Sequence, residues 1–169
     1  MKALLSLGSN VGDRVANLAN AVNHISKIGN IISISSLYET SPVGDVEQEN
    51  FYNIACVIES SSQPHDLLLQ LHSIESVLGR TREVHWGPRK IDIDIVDVEG
   101  FRSDTDELHV PHRQAHLRKF VLLPAAEIAP NWELAGEELQ HRLSNLSSSE
   151  DVTQVKDDQW FVPLIEVHS

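Results

Sequence analysis

Cysteine is nearly absent from this sequence. Cys56 is the only one in 169 residues, which excludes an intrachain disulfide and any cysteine-based metal site. Long apolar runs are missing as well: nothing approaches the roughly 20 residues that a membrane-spanning helix needs. The opening stretch MKALLSLGSN is too short and too polar to read as a signal peptide. Cations are scarce, with 13 Lys and Arg against 25 Asp and Glu and a net charge of −12. That balance argues against a general binder of nucleic acid or anionic membrane, because phosphate contacts require Lys and Arg. Internal repeats, coiled-coil heptads and interdomain linkers are also missing. What remains is a chain that is 41% hydrophobic, an ordinary value for a globular protein and too high for a disordered one. A chain of this length is expected to form one domain, 1–169, and to bury roughly 70% of its unfolded surface without help from a metal. It reads as a cytoplasmic domain.

The placement of charge is more informative than its sum. Residues 80–119 hold eight bases and eight acids, whereas the rest of the chain has five bases and 17 acids. The same window contains His85, His109, His112 and His116, four of the nine histidines. An acidic protein that gathers its cations into one stretch has the makings of a local anion site.

Periodicity outlines the elements. Ala3–Leu7 reads as a strand entering the turn Gly8-Ser9-Asn10. Asp13 is placed to cap a helix whose apolar stripe is Val15, Leu18, Ala19, Val22, Ile25 and Ile28. Ile31–Tyr38 reads as a strand, Thr40–Asn50 as a polar loop and Phe51–Glu59 as a second strand. Pro64 suits the first turn of a helix through Leu67, Leu71, Ile74 and Leu78, which Gly79 stops. After a loop at Arg80–Lys90 comes the strand Ile91–Val98. Gly100–Glu107 reads as a hairpin turn with Leu108–Val110 returning. Phe120–Ile128 and Glu137–Leu146 read as helices, Ser147–Asp158 as loose chain and Trp160–Val167 as a last strand. Short connections such as the one after Tyr38 favour antiparallel neighbours, hence an α+β fold.

Ile91-Asp92-Ile93-Asp94-Ile95 alternates strictly, so a strand presents the isoleucines on one face and both aspartates on the other. The two carboxylates are then about 6.5–7 Å apart at the backbone. A hard divalent ion such as Mg²⁺ relieves their repulsion and also takes phosphate oxygens. Two ions bridged by two carboxylates would form a phosphoryl-transfer clamp. An exposed strand with an acidic outer face would have the same pattern. If alternation holds, Asp97 falls on the isoleucine face and is no third ligand. Arg80, Arg82, His85, Arg89 and Lys90 lie within twelve residues of Asp92, and Gly87-Pro88 and Trp86 supply a turn and a flat apolar surface. A cationic loop beside a metal dyad suits a polyphosphate. His112 and His116 have helical spacing for zinc but no intervening Glu and no third ligand nearby, so zinc is rejected. His112 with Arg118 fits the phosphate site better.

The run His85-Trp86-Gly87-Pro88-Arg89-Lys90-Ile91-Asp92-Ile93-Asp94-Ile95-Val96 resembles the signature of the 6-hydroxymethyl-7,8-dihydropterin pyrophosphokinases of the folate pathway. The likeness extends in order through Leu7-Gly8-Ser9-Asn10, Tyr38-Glu39-Thr40-Ser41-Pro42-Val43-Gly44, Phe51-Tyr52-Asn53, Ile74-Glu75 with Gly79-Arg80, and Val110-Pro111-His112. It covers about residues 3–130; residues 131–169 diverge, and no role is assigned to them beyond covering the sheet. The resemblance implies a ferredoxin-like fold, a mainly antiparallel sheet with helices on both faces. It also implies transfer of pyrophosphate from MgATP to the pterin hydroxymethyl group, with release of AMP, by a monomer. Asp92 and Asp94 take the positions of ligands to two Mg²⁺ ions. Arg80, Arg82, Trp86 and Arg89 match the catalytic and mobile-loop positions. Glu75, Ile95, His112 and Arg118 match the ATP side. Phe51 and Phe120 match rings that sandwich the pterin, and Thr40, Pro42, Val43 and Asn53 match positions that read its polar edge. A flat ring that is polar only at its rim suits that set, with stacking for affinity and amide or backbone groups for specificity.

Three positions depart from the family pattern. Glu83 replaces a lysine common in a mobile loop that is also one residue shorter, Arg113 follows the histidine where tyrosine is common, and Phe51 replaces a frequent tyrosine. Two rival readings stay open on the residues alone. One is a nucleotidyltransferase, which also pairs a Gly-Ser turn with a D-x-D strand but keeps the two close in sequence. The other is an ATP- or metal-binding module without turnover.

Overall fold

The computed structural model describes residues 1–41, 49–79, 90–148 and 150–161. Strand β1 (Lys2–Ser9) is buried along nearly its whole length, which requires cover on both faces and a central place in a sheet. It has both: β4 (Phe51–Glu59) pairs antiparallel on one side and β5 (Asp92–Val98) antiparallel on the other. Helix α1 (Arg14–Ile25) follows β1, and the Asp13 side chain accepts a hydrogen bond from the Ala16 amide at 3.1 Å, as its position before the apolar stripe predicts. Helix α2 (Pro64–Val77) has proline in its first turn and gives way to Gly79 at φ +88°, a left-handed value that favours glycine.

The chain from Ile31 to Tyr38 is not one strand, contrary to its sequence pattern. It divides into β2 (Asn30–Ile34) and β3 (Leu37–Thr40), both antiparallel to β4. At the break the Ser35 amide donates to the Ala55 carbonyl at 2.9 Å. Its hydroxyl accepts from the Ala55 amide at 2.8 Å, so a side chain substitutes for a ladder carbonyl. With β2 and β3 counted as one interrupted strand, the order β3-β4-β1-β5 and the crossovers through α1 and α2 form two interlocked split βαβ units. This is the ferredoxin-like arrangement, and every pairing of the sheet among the described residues is antiparallel.

Two cores result. Leu5, Leu7, Ile54, Cys56, Ile58, Ile93 and Ile95 face α1 and α2. On the other face, Leu4, Ala55, Val57 and Val96 pack against α3 (Lys119–Ile128) and α4 (Leu139–Asn145). Cys56 is fully buried in the first core, and burial pushes its thiol up to about 12. Since the thiolate is the reactive form, a thiol reagent should leave the folded protein unmodified and react once it is denatured. Rapid modification of the native chain would contradict this burial.

Beyond β5 the readings need more correction. The segment His109–Val110 (β7) returns onto β6 (Ser103–Asp104), and these two form a separate ribbon. Glu137–Glu138 (β9) pairs with Glu133–Leu134 (β8), so α4 begins two residues later than its sequence pattern suggests. The stretch read as loose contains β10 (Val152–Lys156), which pairs antiparallel with β3 at the sheet edge. It is exposed along most of its length, so no alternation marks it. Trp160 lies in a turn with its indole buried in the first core, and the remainder of the expected last strand, 162–167, lies outside the described residues. Among the described residues, no helix is long and apolar enough to cross a membrane.

Candidate active site

Sheet register brings the scattered motifs onto one face. Tyr38 is opposite Asn53, Asn53 opposite Gly8, and Gly8 opposite Asp92. Directly opposed residues point to the same side, so Asn53 and Asp92 look out from one face with only Gly8 between them. The strand spacing of about 4.8 Å puts their backbones roughly 10 Å apart. Phe51 and Thr40 are a second opposed pair two residues along, and Asp94 lies opposite Ser6 on the same face. Helix α3 covers the neighbouring part of this face through Ala55 and Val57 and carries Phe120 near its first turn.

Gly8 is needed there for space. A Cβ at this position would lie 3.0 Å from Asn53 Oδ1 and 3.5 Å from Phe51. Gly8→Ala should therefore displace the Asn53 amide and raise the KM for a ring substrate by about tenfold or less, consistent with one disturbed hydrogen bond. An unchanged KM would show that this amide does not face the substrate. Asn53 itself is 3% exposed and donates from Nδ2 to Thr40 Oγ1 at 2.6 Å. The turn after Gly8 is held from behind: Asn17 on α1 donates to Ser9 Oγ at 3.1 Å and to the Val11 carbonyl at 2.8 Å. Asn10 donates to the Glu49 carbonyl. Asn17 was not singled out in the sequence, where it reads as one polar residue on a helix stripe.

The two aspartates keep the predicted alternation, with Asp92 half-buried and Asp94 exposed. Between them, the Ile93 amide donates to Glu75 Oε2 on α2 at 2.8 Å. Glu75 is only 4% exposed, and this bond ties the edge strand to the helix. Ile95 points into the first core, so it could meet a nucleotide only through its backbone. Alternation then fails: a β-bulge lets Asp97 oppose Leu4 while Ile95 opposes Leu5. Asp97 therefore joins the α3 side rather than the isoleucine face, where it accepts from Trp132 Nε1 at 2.8 Å and lies 3.4 Å from Arg102. Burial raises its pKa, against the lowering effect of those partners. Its bond to Trp132 anchors the chain after α3.

Asp92 and Asp94 offer hard oxygen donors on one face beside a glycine, which fits a small divalent cation. Among the described residues, no group of three or more His, Cys, Asp or Glu side chains could hold a metal ion. The pair thus leaves most of an octahedral shell to phosphate oxygens and water, the usual Mg²⁺ arrangement. His112 follows the cis Val110–Pro111 bond and is joined to β5 by its amide, which donates to the Val96 carbonyl at 2.8 Å. The Gln114 amide donates to His112 Nδ1 at 3.1 Å, so the neutral ring carries its proton on Nε2 and can donate there. Burial first, then Arg118 and His109, lower the His112 pKa, while Asp92 opposes the shift. Arg118 is hydrogen-bonded to Gln114 and its guanidinium lies 5.7 Å from the Phe120 ring centroid.

Near β3, the Tyr38 hydroxyl donates to Glu127 on α3 at 2.6 Å, and the Ser36 amide and hydroxyl donate to the same carboxylate. Burial and this anion together raise the Tyr38 pKa, keeping the phenol protonated. No sequence signal pointed to Glu127. A separate cleft of about 410 Å³ is lined by Arg102, Ser103, Asp104, His109, Val110, Pro111 and Arg113. Its carboxylate, Asp104, is held below the usual range by Arg113 and His109, so the groove is ion-paired and includes none of the expected ligands. Pro42, Val43, Arg80, Arg82, Trp86 and Arg89 lie outside the described residues.

Comparison with known proteins bears on the same region. The family model for 7,8-dihydro-6-hydroxymethylpterin-pyrophosphokinase matches residues 4–130. A 2-amino-4-hydroxy-6-hydroxymethyldihydropteridine pyrophosphokinase of Methylorubrum extorquens is 45% identical over 150 residues, 88% of this chain and 95% of that protein. Its counterpart in Bacillus subtilis is 44% identical over 133 residues, 78% of this chain and 80% of that protein. The bifunctional protein FolKE of Lactococcus lactis is 38% identical across 92% of this chain, which spans only 45% of that longer protein. A solved Plasmodium falciparum HPPK-DHPS structure superposes on 85% of the chain with a TM-score of 0.65 at 15% identity, a likeness of fold.

Proposed function

Since the chain belongs to the 7,8-dihydro-6-hydroxymethylpterin-pyrophosphokinase family and is a pyrophosphokinase of folate synthesis, we propose that its one domain moves the terminal diphosphate of ATP onto the pterin hydroxymethyl group on the Asn53–Gly8–Asp92 face. The register across Gly8 carries this reading. It supports the reading by setting Asn53 and Asp92 on one face with only Gly8 between them, and Asp94 two residues along.

The ring lies between Phe51 and Phe120, with its polar edge toward Asn53 and Thr40, assisted by the backbone at Pro42 and Val43. The hydroxymethyl oxygen is thereby directed along the face toward Asp92 and Asp94. That oxygen bonds to the β-phosphorus as its proton passes by way of a phosphate oxygen to bulk water, the bond from the β-phosphorus to the α–β bridging oxygen breaks, and AMP leaves. Two Mg²⁺ ions, held by Asp92 and Asp94 when bound, would neutralise charge on the triphosphate. His112 donates from Nε2 to a phosphate oxygen, and Arg118 adds a cation beside it. Following the resemblance, Arg80, Arg82 and Arg89 are assigned to the phosphate oxygens and Trp86 to the exclusion of water. No protein base is needed for the main gain in rate, because positioning and charge neutralisation carry phosphoryl transfer.

The nucleotidyltransferase alternative fares differently in three dimensions than in sequence. More than 80 residues separate Gly8-Ser9 from Asp92, yet Gly8 and Asp92 are direct register partners, so sequence distance does not discriminate. The products do. With MgATP and the hydroxymethyl dihydropterin, the expected products are AMP and the diphosphorylated pterin. Release of free pyrophosphate or of ADP would overturn the reading.

A further inference from the structure

The segment 150–161 lies outside the family match at 4–130, yet it touches both sides of the proposed ring slot. Glu150 Oε2 accepts from the Lys119 amide, the first residue of α3, at 2.9 Å. That amide is one of the helix-start donors with no partner inside the helix, and the next residue along is Phe120. Ser148 Oγ donates to the same carboxylate oxygen at 2.9 Å and steadies it. Two residues after Glu150, Val152 pairs with Thr40, which is itself opposite Phe51. The span from Glu150 to Val152 is at most about 7 Å. A single short step of chain thus connects the helix that carries Phe120 to the strand row that carries Phe51. The far end is anchored as well: buried Trp160 donates from Nε1 to the Ser35 carbonyl at 3.0 Å.

Resting on the reading that these two rings hold the pterin, we propose that Glu150 is a positioning residue that sets the gap between Phe51 and Phe120. A carboxylate on the first amide of α3 holds the helix start against fraying and complements the positive end of the helix dipole. When the first turn frays, Phe120, its second residue, is no longer held, and the ring-binding form becomes a smaller fraction of the population. Apparent affinity falls by that fraction. On the ATP side only Arg118 adjoins the start of α3, whereas His112, Asp92 and Asp94 stand on other elements, so ATP affinity should follow far less.

The test uses the full chain with Glu150→Ala, Glu150→Gln and Phe120→Ala, reading KM for the pterin, KM for ATP and Tm. Glu150→Ala should raise the pterin KM about fivefold, in line with loss of one helix cap, while the ATP KM stays within about twofold. Glu150→Gln, whose amide oxygen still accepts a hydrogen bond, should recover most of the loss. An unchanged pterin KM, an equal rise for both substrates, or no recovery by glutamine overturns the proposal. Phe120→Ala separates the two levels. If it weakens the pterin while Glu150→Ala does not, the positioning role fails and the ring slot stands. If Phe120→Ala has no effect, the ring slot fails and the positioning role falls with it.

Discussion

Asp94→Ala is expected to cut turnover with MgATP by more than about a hundredfold, roughly 2.7 kcal/mol of transition-state stabilisation. Asp94 is exposed on the proposed catalytic face, opposite Ser6 on β1. Removing an exposed carboxylate uncovers no core, so Tm should stay within about 2 °C of the parent, as for surface substitutions generally. The carboxylate's contribution is electrostatic: it offsets charge on the ions that accompany the triphosphate. Asp94→Asn retains one oxygen but not the charge and should fall between the two. The decisive measurement is kcat as a function of Mg²⁺ alongside a thermal melt. Activity within about tenfold of the parent at saturating Mg²⁺ would refute the metal role, since losing an ion from such a clamp costs more than that.

Glu75→Ala should have a different signature. Glu75 Oε2 accepts from the Ile93 amide at 2.8 Å, 18 residues away in sequence, on the last strand of the sheet among the described residues. Deleting the acceptor leaves that buried amide unpaired, which costs about 2 kcal/mol. For a chain of this size Tm should then fall by roughly 4–8 °C. Ile93 lies between Asp92 and Asp94, so loosening its amide also loosens both carboxylates, and turnover should fall about tenfold or more because small misplacements at a reacting centre are costly. Asp94→Ala should lose activity at constant stability, whereas Glu75→Ala should lose both together. A stable Glu75→Ala protein with normal turnover would show that the strand holds its place without this bond. If Glu75 instead touches nucleotide directly, its substitution would raise the ATP KM with Tm unchanged.

Local pattern was enough for much of the fold. The limits of Phe51–Glu59, the Asp13 cap, the Pro64 start and the alternation of Ile93 and Ile95 with Asp92 and Asp94 all depend on neighbours a few residues apart, where period and capping chemistry act. The failures have a common cause. The break at Ser35, the bulge that turns Asp97 to the other face and the edge strand Val152–Lys156 are each decided by a partner strand distant in sequence. The chain around Ser35 looks like continuous strand because it is rich in isoleucine and serine. Its interruption follows from a hydroxyl that takes the Ala55 amide, and no local rule anticipates that bond.

The same division holds for the site. Scarce cysteine and the lack of a long apolar run excluded an intrachain disulfide scaffold and a helical membrane span, and scarce cations argued against a polyanion binder, since composition alone sets those limits. Motif order pointed to the family, because the twelve residues from His85 to Val96 combine turn, ring, cation and alternating carboxylates within one stretch. Tertiary structure decided which of these groups meet. Gly8, Asn53 and Asp92 come from three strands and share a face only through register, and a slip of one residue in any pairing would send a side chain to the opposite core. In the sequence, resemblance put Glu75 on the ATP side and gave no sign of a backbone partner. Its bond to Ile93 exists because α2 packs against the sheet edge, and only the assembled chain brings the two within reach.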